Sequence, residues 1–178
     1  FAPNGDLFAV TTGGSIRMLH DANNNGIFEP SEVTTWASTG GNGNNCHIDA
    51  AGGFLYAGTP NGVRRFPYVP GGASGGAGEA VVINQPSGGH GYHTVHVYDG
   101  FLYVHSGSSG NATNTSNPSS STYDTTRSLL RRFDLSKFAP GTPFDWASGE
   151  LYSQGLRNML GYTRNSAGRM YGVVNGLD

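Results

Sequence analysis

An all-β fold, built as part of a β-propeller, is what the sequence predicts, and three observations carry that reading. Glycine supplies 29 of 178 residues while only 12% are charged, a composition suited to tight turns rather than long amphipathic helices. Four short segments share a turn glycine, one variable residue, an aliphatic residue and an aromatic: NGDLFAV at Gly5, GGFLYAG at Gly53, DGFLYVH at Gly100 and AGRMYGV at Gly168. Their glycines lie 48, 47 and 68 positions apart, and a period near 45 is that of propeller blades.

Each repeat element has a physical reading. GSIRML, GVRRFPY and SLLRRFDL follow the first three segments as partner strands, giving pairs of adjacent antiparallel strands. The long third interval is absorbed by Ser106 to Thr126, whose Ser, Thr, Asn and Gly content predicts a solvated insertion over 106–126. A second flexible connection, VPGGASGGAGEA, is expected over 69–80. Residues 1–178 therefore read as one partial propeller domain of about four blades, a segment of a larger ring.

Composition narrows the function. A net charge of −2 offers no basic field for a phosphate backbone, so nucleic acid is excluded as a partner. No apolar run reaches the roughly 18 residues that a membrane-spanning helix needs. Cys46 is the single cysteine and cannot form an internal disulfide. Asn111 and Asn114 head N-glycosylation triplets in the polar insertion, in keeping with a secreted protein, or a periplasmic one in a bacterium.

The segment DANNNGIFEPSE fits the calcium-loop template with Asp21, Asn23, Asn25, Gly26 and Glu32 in place. Oxygen donors at alternating positions suit a hard cation, Ile27 offers its carbonyl, and Glu32 closes the shell with both oxygens. Strand-like flanks make this a Ca²⁺ loop without paired helices, and its expected role is to brace a blade. A plain polar hairpin loop is the other reading of the same residues.

Four of six histidines crowd into SGGHGYHTVHVYDGFLYVHSGSSGN, from Ser87 to Asn111. Strand alternation would put His90 and His96 on one face and His93 on the other, which disfavours a three-histidine zinc site. His93, His96 and His105 read as strand residues serving packing. His90 follows a glycine turn at the mouth of a strand, where scaffold-mounted functional groups commonly sit.

The strings GGHGYHTVHVYDGFLYVHSGSSGN, RSLLRRFDL and QGLRNMLGYTRNSAGRMYGVVNGLD, in this order, resemble the soluble quinoprotein sugar dehydrogenases. FAPNGDLFAV, DANNNG and GGFLYAGTPNGVRRFPY are similar to that family's preceding blades, so the resemblance runs along essentially the whole chain. It implies a six-bladed propeller that binds pyrroloquinoline quinone (PQQ) beside a calcium ion, oxidises a sugar or related polyol, and passes electrons to an external acceptor. His90 resembles the general base that takes the sugar hydroxyl proton. Arg157 and Asn158 in GLRN resemble residues that contact the cofactor and polarise its reacting carbonyl. An imidazole suits the first task and a guanidinium the second. His90 and Arg157 are therefore expected to face one shared cavity.

Two departures accompany the resemblance: His93 stands where the family commonly has an arginine, and His96 where an apolar residue is usual. The family's later blades add basic groups for the cofactor and ligands for its calcium. This segment alone is therefore expected not to hold the quinone, and the remainder of its own propeller becomes a partner. The Asp21–Glu32 loop is a different site from the family's catalytic calcium. A non-catalytic extracellular propeller, serving adhesion or assembly, is the alternative function that the same sequence supports.

Overall fold

The computed structural model describes residues 1–2, 4–41, 48–90, 93–110 and 126–175. Among them the secondary structure is β-strand, with short 3-10 turns and no α-helix, so no helix is long and apolar enough to cross a membrane. Four sheets form. The first is an antiparallel meander of β1 (Leu7–Val10), β2 (Ser15–Leu19) and β3 (Val33–Ser38). The second runs through β4 (Ile48–Ala51), β5 (Phe54–Thr59), β6 (Gly62–Pro67) and β7 (Glu79–Ile83). The third opens with β8 (Val95–Tyr98), β9 (Phe101–Ser106) and β10 (Leu129–Asp134).

The chain then crosses back. The two-residue strand β11 (Phe144–Asp145) runs parallel to β7 and extends the second sheet. β12 (Glu150–Gln154) returns to pair with β10, and β13 (Asn158–Arg164) with β14 (Met170–Asn175) makes a separate fourth sheet.

The four repeat glycines each enter a different sheet, ahead of β1, β5, β9 and β14. All four have left-handed backbone, with φ of 91° at Gly5, 79° at Gly53, 77° at Gly100 and 77° at Gly168. That conformation costs glycine little and strains other residues, which is why the glycine marks each unit. The expected partner strands follow as β2, β6 and β10, each antiparallel to its predecessor. At Gly53, Gly100 and Gly168 the glycine turn itself joins the repeat strand to the strand before it: β4 pairs with β5, β8 with β9 and β13 with β14.

Strand alternation builds the core between successive sheets. Leu55 and Ala57 of β5 join Phe8, Ile16, Met18, Trp36 and Phe66 between the first and second sheets. Tyr56 points the other way, into a cluster with Val82, Val95, Leu102, Val104 and Phe133 between the second and third. Tyr103 and Leu130 repeat the alternation, meeting Met159 and Tyr162 of the fourth. The two middle sheets thus bury both faces. On the fourth sheet, Leu160, Tyr171 and Val173 remain exposed.

The glycine-rich stretch expected as a flexible connection is fixed in place. The Gly75 N–H donates to the Trp36 carbonyl at 2.9 Å, and the Trp36 indole N–H donates to the Gly72 carbonyl at 2.9 Å. A side chain at Gly75 would start 2.5 Å from the Trp36 ring, so the glycine permits the close packing. Strand β7 begins at Glu79, inside the expected connection. Of the polar insertion over 106–126, Ser106 ends β9, while 111–125 lie outside the described residues together with Asn111, Asn114 and Cys46.

Candidate functional site

His90 and Arg157, 67 positions apart, meet through one short segment at the end of β9. The His90 N–H donates to the Ser108 carbonyl at 2.9 Å, and the Ser108 N–H donates to the Arg157 carbonyl at 2.7 Å. Gly107 lies against both: a Cβ there would fall 1.8 Å from the His90 oxygen and 2.9 Å from the Arg157 oxygen. Only glycine allows that approach. A Cβ at Gly89 would meet the Ser109 carbonyl oxygen at 2.4 Å, which gives the GGH string a packing reason.

Neighbouring groups pin these turns. Arg127 donates to the Gly88 carbonyl at 2.9 Å and to the Ser87 carbonyl. Gln85 Nε2 donates to the His105 carbonyl at 2.9 Å, and His105 Nε2 meets the Leu156 carbonyl at 3.0 Å. Leu156 donates in turn to Ser128, which holds a left-handed φ of 57°. Serine adopts that backbone rarely, so the site carries local strain. His90 is half-buried, whereas Arg157 and Asn158 are 7% and 4% exposed.

Several polar atoms at this end have no hydrogen-bond partner among the described residues although they are buried. They are Gln85 Oε1, His93 Nε2, Ser106 Oγ, Ser128 Oγ and Asn158 Oδ1. Buried polar groups in folded proteins are normally satisfied, so such a concentration calls for ordered water or a ligand.

The other histidines separate by environment. β8 starts only at Val95, so of His90, His93 and His96 just His96 lies within it, and the simple alternation expected across all three does not apply. His96 stacks on Tyr98 and meets Tyr162 edge-on. His93 is 2% exposed, and its Nδ1 lies 2.5 Å from the Thr59 carbonyl. Burial pushes its imidazole below the ordinary value, against the opposing backbone hydrogen bonds to Thr59 and Pro86. No motif in the sequence marks this cross-sheet bond.

The Asp21–Glu32 loop is exposed and hydrogen-bonded to itself. Asp21 Oδ1 accepts from Asn25 N at 3.1 Å, and Oδ2 from Gly26 N at 2.8 Å. Asn23 Oδ1 accepts from Asn25 N, and Asn25 Oδ1 from Ile27 N. Glu32 accepts from the Ala22 and Glu29 N–H groups. Glu29, absent from the sequence-based ligand set, collects the side-chain amides of Asn23 and Asn25. Among the described residues no group of three or more His, Cys, Asp or Glu is placed to hold a metal ion. Asp21 and Glu32 are the two carboxylates in the expected calcium set, and calcium there would lean on neutral amides and a carbonyl.

The loop's base is anchored at Asp6, which is 1% exposed. Asp6 accepts from Tyr68 Oη at 2.8 Å and Gly71 N at 3.1 Å, with His20 Nδ1 at 2.7 Å. Burial pushes the Asp6 carboxyl up, but hydrogen bonds with Asn4, His20, Tyr68 and Gly71 outweigh it and bring it to about 2. Burial first, then the adjacent Asp6, pushes the Tyr68 phenol up to about 12.

Stacked antiparallel sheets with a buried polar centre carried on their end turns define a scaffold whose loops do the work. The family model described as TrAA12-like matches residues 1–178, and the chain belongs to that family. Two solved structures of Trichoderma reesei Carbohydrate-Active Enzymes Family AA12, an iodide and a calcium structure, are each 25% identical, with TM-scores of 0.78 and 0.79. They match 100% of this chain over 45% of their own. The holo form of the pyranose dehydrogenase PQQ domain from Coprinopsis cinerea is 22% identical with a TM-score of 0.79, covering 99% of this chain and 42% of that one. The chain thus spans less than half the length of these structures. No curated protein matches it. The resemblance to PQQ-dependent sugar dehydrogenases read from the sequence is borne out by this family and these neighbours.

Proposed function

We propose that this chain is part of a quinoprotein oxidoreductase that oxidises a sugar or related polyol and delivers the electrons to an external acceptor. The observation that carries the reading is the junction at Gly107–Ser108, which fixes the His90 and Arg157 backbones to one segment beside buried polar atoms that lack partners among the described residues. The Coprinopsis cinerea neighbour is a PQQ domain in holo form, and the family match covers the whole chain.

The residues present fit such a cofactor. Arg157 would meet one of its anionic oxygens, and Asn158 would hydrogen-bond beside it. Ser106 and Ser128 offer hydroxyls that the described residues leave unused. Bound quinone supplies the hydride acceptor. His90, held by its own peptide N–H, takes the proton from the sugar hydroxyl. Arg157 stabilises developing negative charge, as a preorganised cation does in a water-poor site.

The same proposal makes the four sheets units of a six-bladed propeller. Their successive stacking and the apolar outer face of the fourth sheet support it. It keeps residues 1–178 as one partial domain with the 106–126 insertion, and it keeps an extracellular or periplasmic location, for which the acceptors at Asn111 and Asn114 speak. Calcium at Asp21, Asn23, Asn25, Ile27 and Glu32 belongs to it as a brace. The oxygen-only donor set supports that role.

The experiment is to reconstitute the full-length protein containing this chain with PQQ and Ca²⁺ and to follow dye reduction over aldoses and polyols. Sugar-dependent reduction is expected. A full-length protein that neither retains the quinone nor reduces the dye would leave the non-catalytic module in its place.

A further inference from the structure

A concave site lies at the turn between β5 and β6. A cavity of about 470 Å³ opens where Gly40 follows β3, Pro60 and Asn61 turn from β5 into β6, and Ile83 and Asn84 end β7. Its volume falls within the usual range for small-ligand sites. Arg64 projects from β6 into its lining.

The Arg64 side chain is half-buried and makes no ion pair or hydrogen bond with any described residue. The contrast with its neighbour is direct. Arg65 pairs with Glu79 at 2.6 Å and stacks over Phe54 and Phe138. Among the described residues lining the cavity there is no carboxylate, and Arg64 is the charged group. A partly desolvated guanidinium with open donors selects a planar anion that it can grip with two hydrogen bonds.

The rest of the wall says what the anion is attached to. Pro60 and Ile83 present apolar surface, and Ile83 is 37% exposed. The Asn61 amide at the rim can both donate and accept. Apolar surface beside an amide and a guanidinium fits a pyranose: its C–H face covers the aliphatic groups, its hydroxyls meet the amide, and a carboxylate meets the arginine. A bare phosphate would leave the apolar wall uncovered.

The cavity is also tied to the site already described. Thr59, in its wall, accepts from His93 Nδ1, and the Asn61 carbonyl accepts from Gln85 N at 3.0 Å. We propose that this cavity is a subsite for a carboxylate-bearing sugar, a uronic or aldonic acid, with Arg64 holding the carboxylate. The inference rests on the proposed carbohydrate activity only for the ligand class.

Calorimetric titration of the purified protein, without quinone, tests it with D-glucuronate, D-glucose and inorganic phosphate as probes. Glucuronate should bind at least about tenfold more tightly than either of the others, and added NaCl should weaken it. Arg64→Gln should weaken glucuronate about tenfold to a hundredfold and leave glucose unchanged, while Arg64→Lys retains part of the preference. Near-UV circular dichroism checks that both variants keep the native packing, and the wild-type comparison of the three probes decides the matter if they do not. Equal binding of glucuronate and glucose, phosphate as tight as glucuronate, or no glucuronate binding overturns the proposal. Since the assay contains no quinone, such a failure leaves the oxidoreductase reading to its own test in dye reduction.

Discussion

The Asp21–Glu32 loop and the His90–Arg157 end are both polar turn regions that the sequence singles out, and their hydrogen bonds go to different places. In the loop, the oxygens of Asp21, Asn23, Asn25 and Glu32 accept from backbone N–H groups within the same loop, where Asn23 and Asn25 are exposed and Asp21 and Glu32 half-buried. At the other end, Gln85, His93, Ser106, Ser128 and Asn158 keep buried polar atoms for which the described residues offer nothing. A motif's residue types do not separate these cases. Burial and unmet hydrogen-bonding capacity do, because exposed groups can turn to water whereas buried ones need a built partner.

If the loop region is structural, the largest loss of stability should come from its anchor. Asp6→Ala removes a buried carboxylate, leaves the Gly71 N–H without its acceptor and leaves the Tyr68 hydroxyl with Asn4 Oδ1 alone. Urea unfolding should show a loss of about 2 to 4 kcal/mol. A change below about 1 kcal/mol would mean that the network contributes little.

The same carboxyl sets a pH dependence. Its folded value of about 2 lies below the ordinary 3.8, so its stabilisation is fully present above the ordinary value and lost as pH falls through the folded one. The contribution is about 2 kcal/mol. Acid unfolding followed by tryptophan fluorescence between about pH 4 and 2 should therefore lose part of its pH slope in Asp6→Asn. An unchanged slope would place the acid sensitivity elsewhere.

A crossed pair of substitutions sharpens the contrast. Asp21→Ala should cost about 1 kcal/mol through two lost loop hydrogen bonds and leave quinone retention by the full-length protein unchanged. Ser106→Ala should do the reverse, changing stability by less than about 0.5 kcal/mol while weakening quinone retention. Equilibrium dialysis beside thermal unfolding reads both. If Ser106→Ala destabilises more than Asp21→Ala, the hydroxyl has a structural role after all.

The smallest effect should be that of calcium at the loop. Two carboxylates and neutral amides make a weak site, so chelator should move the midpoint of thermal unfolding by only about 1 to 2 °C. A shift above about 5 °C would show that the ion, rather than the hydrogen bonds of Asp21 and Glu29, shapes the loop.

Much of the fold was legible because turn glycines leave a mark that does not depend on distant packing. Gly5, Gly53, Gly100 and Gly168 opened one repeat strand each, and GSIRML, GVRRFPY and SLLRRFDL became their neighbours. The strands β4 and β11 were harder to see, since IDAA and FD are short and owe their pairing to partners already in place. At the site, His90 and Arg157 could be named from their motifs, but their meeting through Gly107 and Ser108 could not, because it depends on how sheets stack. The bond from His93 to Thr59 and the role of Glu29 depend on three-dimensional neighbours in the same way.

The central claim is that one end of these sheets places a base and a cofactor-holding cation side by side, and a comparison of two variants of the quinone-loaded full-length protein tests it most directly. His90→Gln should retain PQQ nearly as wild type does while sugar oxidation falls about 10²- to 10⁴-fold. Arg157→Ala should lose both retention and rate. Wild-type turnover by His90→Gln, or unchanged quinone retention by Arg157→Ala, would contradict the account.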